Sequence, residues 1–320
     1  MNVVVSTRPK SISMSKKEAI WLSIIALLFL GGFYYYMKYI FKPKPKQATE
    51  VLSTSAGPKP LLPQDKQEWK MPKELKEISA NVFVDDVRMA CIQDNDGIIF
   101  IYNLQSESVD ETIEFAGKGD YEGLALVRST YFVLRSDGML YEVQPQKGKA
   151  PHVKTYELPL KAENETESIC FDSDYNRLLV AVKTKDLHEK DKKGIYAFDL
   201  KTKQMSTTAV CYIDDKVSVD DNEEKNGKGK KKKKEKTEIK PSEIAIQPAT
   251  RDFFILDGPS ARLFITDPKG NIKSRYELDR NILPQPEGIC FSKSGEIYIS
   301  SEANKNKHGI IAKFAPDAFK

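Results

Sequence analysis

The chain has 320 residues, of which 40% are hydrophobic and 30% charged, so it can bury a core in one or two domains and cannot be wholly disordered. Its net charge of +4 misrepresents the part that folds. Residues 1–47 carry eight basic residues against Glu18 alone, and Lys216 to Lys240 holds ten Lys against six acids, which leaves −7 on everything else. The folded part is therefore acidic, and the basic pI comes from the N-terminal tail and one loop. Three His and the absence of Cys-x-x-Cys speak against a zinc site.

In chain order, residues 1–18 form a short basic tail, followed by Ala19 to Met37, 19 residues without a charge. A run of that length crosses a bilayer as a helix, and Trp21 at one end with Tyr34, Tyr35, Tyr36 and Tyr39 at the other suit the two interfaces. A cleaved secretory signal is the alternative, but its apolar stretch is shorter and ends on small residues, whereas here bulky Tyr and Lys follow. An uncleaved signal anchor over 19–40 is therefore expected. Basic residues flank it on both sides, and the large domain after it favours a cytoplasmic tail with the domain exported across a bacterial inner membrane. Residues 41–63, with Lys-Pro-Lys-Pro-Lys and then Ser, Thr, Gly and Pro, read as a flexible stalk.

From residue 64 to 320 one phrase recurs: Asp120-Tyr121-Glu122-Gly123-Leu124, Glu165-Thr166-Glu167-Ser168-Ile169, Lys240-Pro241-Ser242-Glu243-Ile244 and Gln285-Pro286-Glu287-Gly288-Ile289. Glu77-Ile78-Ser79-Ala80-Asn81 is a degenerate first copy. The column Ser79, Glu122, Glu167, Ser242 and Glu287 is spaced by 43, 45, 75 and 45 residues. A four-stranded propeller blade takes about 40–45 residues, so the pattern predicts an all-β, five-bladed β-propeller. The long step contains a Lys-rich, low-complexity insert at about 217–240, expected to be disordered.

Strand-like alternation with turns such as Asp94-Asn95-Asp96-Gly97 and Ser136-Asp137-Gly138 fills the space between column residues. The last unit runs out of chain after Gly309 to Phe314, so Gln67 to Met71 is the expected donor of its outer strand. Cys91, Cys170, Cys211 and Cys290 are expected as buried free thiols, two of them at one repeat position.

Propeller geometry brings one residue per inner strand to the axis at one height. Glu122, Glu167 and Glu287, with Ser79 and Ser242, would then form a ring whose carboxylates repel unless a cation joins them. Such hard oxygen ligands suit calcium, with magnesium or manganese the weaker fits. The alternative is structural: each Glu caps a turn or binds backbone amides of the next blade. Glu302 ends a strand of the last blade and could reach the same mouth, or sit in a solvated loop.

Pro241-Ser242-Glu243-Ile244-Ala245-Ile246-Gln247-Pro248, Gln285-Pro286-Glu287-Gly288-Ile289-Cys290-Phe291, Ile297-Tyr298-Ile299-Ser300-Ser301-Glu302 and Leu75-Lys76-Glu77-Ile78-Ser79 together resemble the SdiA-regulated family of bacterial envelope proteins, over about residues 67–314. That resemblance implies a five-bladed propeller, distantly similar to NHL-repeat proteins, with a calcium site at Glu122, Glu167, Glu287 and Glu302. The family's closing Ser-Asn-Glu phrase reads Ser300-Ser301-Glu302 here, and its usual Ser-Gly reads Ser79-Ala80. The family name refers to a proposed regulation and specifies no activity.

Two functions follow. One is a membrane-anchored, calcium-binding module that recruits an envelope ligand or protein, with the Lys-rich insert offering a contact to anionic lipid or polymer. The other is a metal-dependent hydrolase of lactones or phosphoesters, which needs an open metal position and an acid or base beside it. No Gly-x-Ser-x-Gly is present and His188 and His308 fall in loops, so binding is favoured over catalysis, and with the domain outside the cytoplasm nucleic acid is not expected as a partner.

Overall fold

A computed structural model describes residues 67–214, 216–218, 236–303 and 308–319, together with Lys17. The expected anchor and stalk lie outside the described residues. Among the described residues no helix is long and apolar enough to cross a membrane.

The described chain forms five blades, each an antiparallel sheet laid down from the inside outward. Blade 1 comprises β2 (Ile78–Phe83), β3 (Arg88–Gln93), β4 (Asp96–Asn103) and β5 (Ser108–Lys118). Blade 2 comprises β6 (Tyr121–Val127), β7 (Thr130–Arg135), β8 (Met139–Gln146) and β9 (Lys149–Glu157). In blade 3, β10 (Thr166–Asp172), β11 (Arg177–Val182) and β12 (Lys192–Asp199) are followed by an outer strand in two pieces, β13 (Gln204–Met205) and β14 (Cys211–Asp214), both paired with β12. Blade 4 contains β17 (Pro241–Ile246), β18 (Phe253–Asp257), β19 (Arg262–Thr266) and β20 (Ile272–Glu277). Blade 5 contains β21 (Gln285–Phe291), β22 (Ile297–Glu302) and β23 (Ile310–Phe314), and its outer strand is β1 (Gln67–Lys70).

The inner strands close a ring, β2 against β6, β6 against β10, β10 against β17, β17 against β21 and β21 against β2. The expected borrowing of an outer strand is realised, with Gln67 opposite Lys313 and Lys70 opposite Ile310. Trp69 stacks on Tyr298 at 5.8 Å and donates its indole N–H to the Leu104 carbonyl of blade 1 at 2.8 Å. Its buried polar edge is thereby satisfied while the ring fills the seam.

The core is divided into five apolar clusters, one per seam between blades. Ile92, Ile101 and Val133 pack blade 1 on blade 2, Leu134, Leu178 and Val180 pack blade 2 on 3, and Ile213, Ile244 and Ile255 pack 3 on 4. Leu256, Leu263 and Ile299 join blades 4 and 5, and Trp69, Met89 and Tyr298 join 5 and 1. This sandwiching changes the expected alternation. Central strands such as β18 are buried at every residue because a neighbouring blade covers each face, whereas outer strands such as β5 and β9 keep the half-exposed pattern.

The insert is narrower than expected. Residues 216–218 (β15) pair with 236–238 (β16) as a two-stranded ribbon, and Ile239 is buried between blades 3 and 4. Apolar anchorage of Ile239 orders the segment that leads into β17. The Lys-rich stretch between the two strands lies outside the described residues.

Candidate functional site

Each inner strand begins with an irregularity in its register against the second strand of the same blade. The shift falls between Ile78 and Ala80, Tyr121 and Gly123, Thr166 and Ser168, Pro241 and Glu243, and Pro286 and Gly288. The residue left over in the five cases is Ser79, Glu122, Glu167, Ser242 and Glu287, the column identified by the repeat. A bulge residue is freed from the ladder and its side chain re-aimed, here five times at one end of the ring.

The residue after the bulge is small in four copies, Ala80, Gly123, Ser168 and Gly288. The neighbouring inner strand explains this. A Cβ on Gly123 would stand 2.7 Å from Ile169 Cγ2 and 2.8 Å from the Glu167 carbonyl, and one on Gly288 would meet the Asn81 and Ser300 side chains. In the fourth copy Glu243 takes the position, and its carboxylate crosses to blade 3. It accepts from the Ile169 amide at 3.1 Å, the Ser168 hydroxyl at 3.3 Å and its own blade's Ile244 amide at 2.9 Å. The structural role considered for the repeated glutamates is therefore real and belongs to Glu243. Burial pushes its carboxyl well above the ordinary value, offset in part by these donors.

The mouth is different. Ser79, Glu167, Ser242 and Glu287 are buried and Glu122 is half-buried. Glu167 is only 8% exposed, yet its Oε2 has no hydrogen-bond partner, and the hydroxyl of Ser242, which is 2% exposed, has only the Glu287 carboxyl beside it. Gly258 leaves room for this group: a Cβ there would lie 2.6 Å from Ser242 Oγ, 3.1 Å from Glu287 Oε1 and 2.6 Å from the Pro286 carbonyl. Orphaned buried oxygens of this kind are costly and call for an explanation.

The four glutamates feel one another. Burial raises the carboxyl of Glu122, and the charges of Glu167, Asp120 and Glu287 raise it further. Glu167 is raised by burial against the opposing pull of Lys183, and Glu287 likewise. Glu302, half-buried at the end of β22, is pushed up to about 8 by burial and by Glu287, Asp94, Glu77 and Glu167. The charges of Glu167 and Glu287 thus reach both Glu122 and Glu302, with Asp94, Glu77 and Asp120 nearby, although among the described residues no three acidic or His/Cys side chains stand close enough to hold a metal.

The sequence reading missed Lys183. It follows β11 directly, and its ammonium Nζ contacts Glu167 Oε1. Burial works against its charge, and Glu167, Glu287 and Glu122 outweigh that, so its pKa is raised. The detectable signal was positional: each second strand ends at the same mouth, so aligning those ends would have put Lys183 among the acids.

The cysteines are free, with Cys91, Cys211 and Cys290 buried and Cys170 half-buried. Asn81 accepts from the Ser300 hydroxyl at 2.9 Å and lies 3.2 Å from Cys290 Sγ, a latch across the closing seam. His188 Nε2 is 2.8 Å from the Thr207 carbonyl in a loop of blade 3, with no tie to the mouth. A 510 Å³ cleft, lined by residues such as Glu111, Phe115 and Lys149 of the outer strands of blades 1 and 2, shares no residue with the mouth.

Fold and site together define a five-bladed β-propeller with a buried, carboxylate-rich mouth at one end of its ring. The chain belongs to the SdiA-regulated family, whose model matches residues 75–306. No curated protein matches the sequence. Among solved structures, glutaminyl cyclase from Myxococcus xanthus is similar with a TM-score of 0.53 at 12% identity, over 80% of this chain and 97% of that one. A catalytically inactive virginiamycin B lyase from Staphylococcus aureus with quinupristin gives 0.42 at 12% identity, over 76% and 67%. At these identities the glutaminyl cyclase likeness speaks to the fold alone.

Proposed function

We propose that this protein is an envelope binding module, held at the bacterial inner membrane by its N-terminal helix with the propeller outside the cytoplasm, and that its mouth binds calcium. The observation that carries the calcium reading is a set of oxygen-bearing side chains at one end of the ring, Glu122, Glu167, Ser242, Glu287 and Glu302, with Glu167 Oε2 buried and without a hydrogen-bond partner. The donor chemistry fits a hard cation, and the upward shift of the carboxyls, even with Lys183 beside them, supports a place for further positive charge. Among the described residues no three acidic or His/Cys side chains stand close enough to hold a metal as placed. Calcium would draw Glu122, Glu167 and Glu287 inward, with Ser242 and Glu302 as further oxygens. The exposed face around the mouth would then present an envelope ligand or protein with a surface ordered by the ion.

The test is a thermal melt of the full chain, stripped with chelator and titrated with calcium, magnesium and manganese, with elemental analysis of the protein as isolated. A calcium-selective rise in Tm is expected, since a ligand that binds only the folded state stabilises it by mass action. The absence of both a Tm shift and copurifying metal would remove the reading.

A hydrolase is the second reading, and it draws on the same half-buried acids: burial and neighbouring charge push the carboxyl of Glu302 up to about 8 and that of Glu122 up to about 9, in the direction a general acid beside a metal needs. Turnover of lactones or phosphotriesters that requires calcium and vanishes in Glu122→Gln would select it. For the Lys-rich segment we propose anionic lipid or polymer as partner, and deletion of residues 222–236 without loss of liposome or polymer binding would withdraw it.

A further inference from the structure

We infer that Lys183 is a resident counter-cation of the mouth, which a divalent ion must displace from Glu167 before it can bind. The inference rests on the calcium reading for the identity of the ion and adds what sets its affinity. Lys183 is 17% exposed at its side chain and Glu167 11%, so the pair is screened from bulk water. Its backbone is fixed in the same place, the Lys183 amide donating to the Glu165 carbonyl at 3.0 Å and the Thr184 amide to the Asn164 carbonyl at 3.1 Å. The ammonium cannot swing away by loop motion alone.

Lys183 also acts on Glu122 and Glu287, the two other column glutamates. One positive charge is shared among three carboxylates, and the pairing is incomplete: Glu167 Oε2 remains without a hydrogen-bond partner. A divalent cation could satisfy that oxygen, which an ammonium seated on Glu167 Oε1 leaves unbonded. The mouth is therefore poised between two cations, a tethered one that is always present and a diffusible one with more charge and more coordination positions. Removing the ammonium should leave the carboxylates to the metal, because a positive charge so near opposes a second in a poorly screened site.

The experiment is calcium titration of the full chain by calorimetry for wild type, Lys183→Met and Lys183→Arg, with circular dichroism as the check of fold. Lys183→Met is expected to bind calcium about tenfold tighter or more, and Lys183→Arg to stay within about threefold of wild type. Calcium binding to Lys183→Met but not to wild type would support the inference and overturn the calcium reading of the native protein. Equal affinity in wild type and Lys183→Met would overturn the inference and leave that reading intact, and no binding to either would overturn both. Should Lys183→Met fail to fold, amine acylation of wild type read by mass spectrometry decides. Lys183 should label faster with calcium than with chelator, and an unchanged rate in protein that binds calcium would overturn the displacement.

Discussion

Glu243 and Glu167 are buried glutamates on adjacent inner strands, offset by one repeat position. Glu243 stands just after the bulge and faces the seam, where two backbone amides and a hydroxyl donate to it. Glu167 is the bulge residue and faces the mouth, where a lysine contacts one oxygen and nothing hydrogen-bonds to the other. A shift of one residue separates a carboxyl that holds two blades together from one that awaits charge. Substitutions at the seam should therefore cost folding, and those at the mouth should cost the response to a cation.

The largest effect is expected at the seam. Glu243→Ala strips the Ile169 and Ile244 amides of their acceptor inside an apolar cluster and should destabilise by about 3 kcal/mol, measured by denaturant unfolding. Glu243→Gln keeps a carbonyl acceptor and should cost about 1 kcal/mol or less. Equal losses in the two would mean that packing volume, not hydrogen bonding, is what Glu243 supplies. Calcium should raise the Tm of both variants as it does wild type.

Gly258→Ala tests the mouth by filling it. The new methyl would press on the Pro286 carbonyl, which is backbone and yields little, and on the Ser242 hydroxyl. About 1–3 kcal/mol of stability should be lost, and the calcium-induced rise in Tm should disappear. A variant that is destabilised yet still responds fully to calcium would put the ion elsewhere.

Stability against pH separates the two glutamates in one protein. A carboxyl whose folded pKa lies above its unfolded value favours folding while protonated, so its contribution is present below the unfolded pKa and lost as pH rises through the folded one. The window opens at the ordinary 4.5 and extends to about 8 for Glu302 and about 9 for Glu122, and Glu167, Glu287 and Glu243 shift in the same direction. Metal-free protein should lose stability across that window. Saturating calcium should flatten the share that comes from the mouth, and Glu243→Gln should remove the share that calcium leaves. A metal-free profile flat from pH 4.5 to 8 would contradict the burial of these carboxyls.

Much of this was legible because a propeller repeats itself. The phrase around Glu122, Glu167 and Glu287 marked the inner strands, and alignment on Ile244 placed Ser242, not Glu243, in the column, which the bulge at Ser242 bears out. The closing strand was legible from missing chain alone. The bulges were not, because they are a matter of hydrogen-bond register and any residue type can occupy them. Lys183 was hidden for a related reason: the positions that follow the second strands read Asp94, Ser136, Lys183, Gly258 and Ala303, five different residues, so no repeat announces that they share a mouth. The buried end of the insert at Ile239 was masked by the lysines beside it.

The smallest expected effect belongs to Glu302, the residue whose place was least defined by its own sequence context. It ends β22 opposite Gln285, half-buried, and its carboxyl is held protonated near neutral pH by burial and by the acids around it. Replacing a protonated acid with an amide of the same shape should leave the metal-free Tm almost unchanged at pH 7, by less than about 0.5 kcal/mol. The calcium-bound state is another matter, because there the carboxylate would be ionised and Glu302→Gln would remove one charged oxygen. Calcium affinity should then fall a few-fold, on the order of 1 kcal/mol, less than for Glu167→Gln at the centre of the ring. An unchanged affinity would confine the ligand set to the bulge residues and leave Glu302 as a contributor to the field of the mouth, whereas a loss as large as that of Glu167→Gln would make the end of β22 a full member of the site.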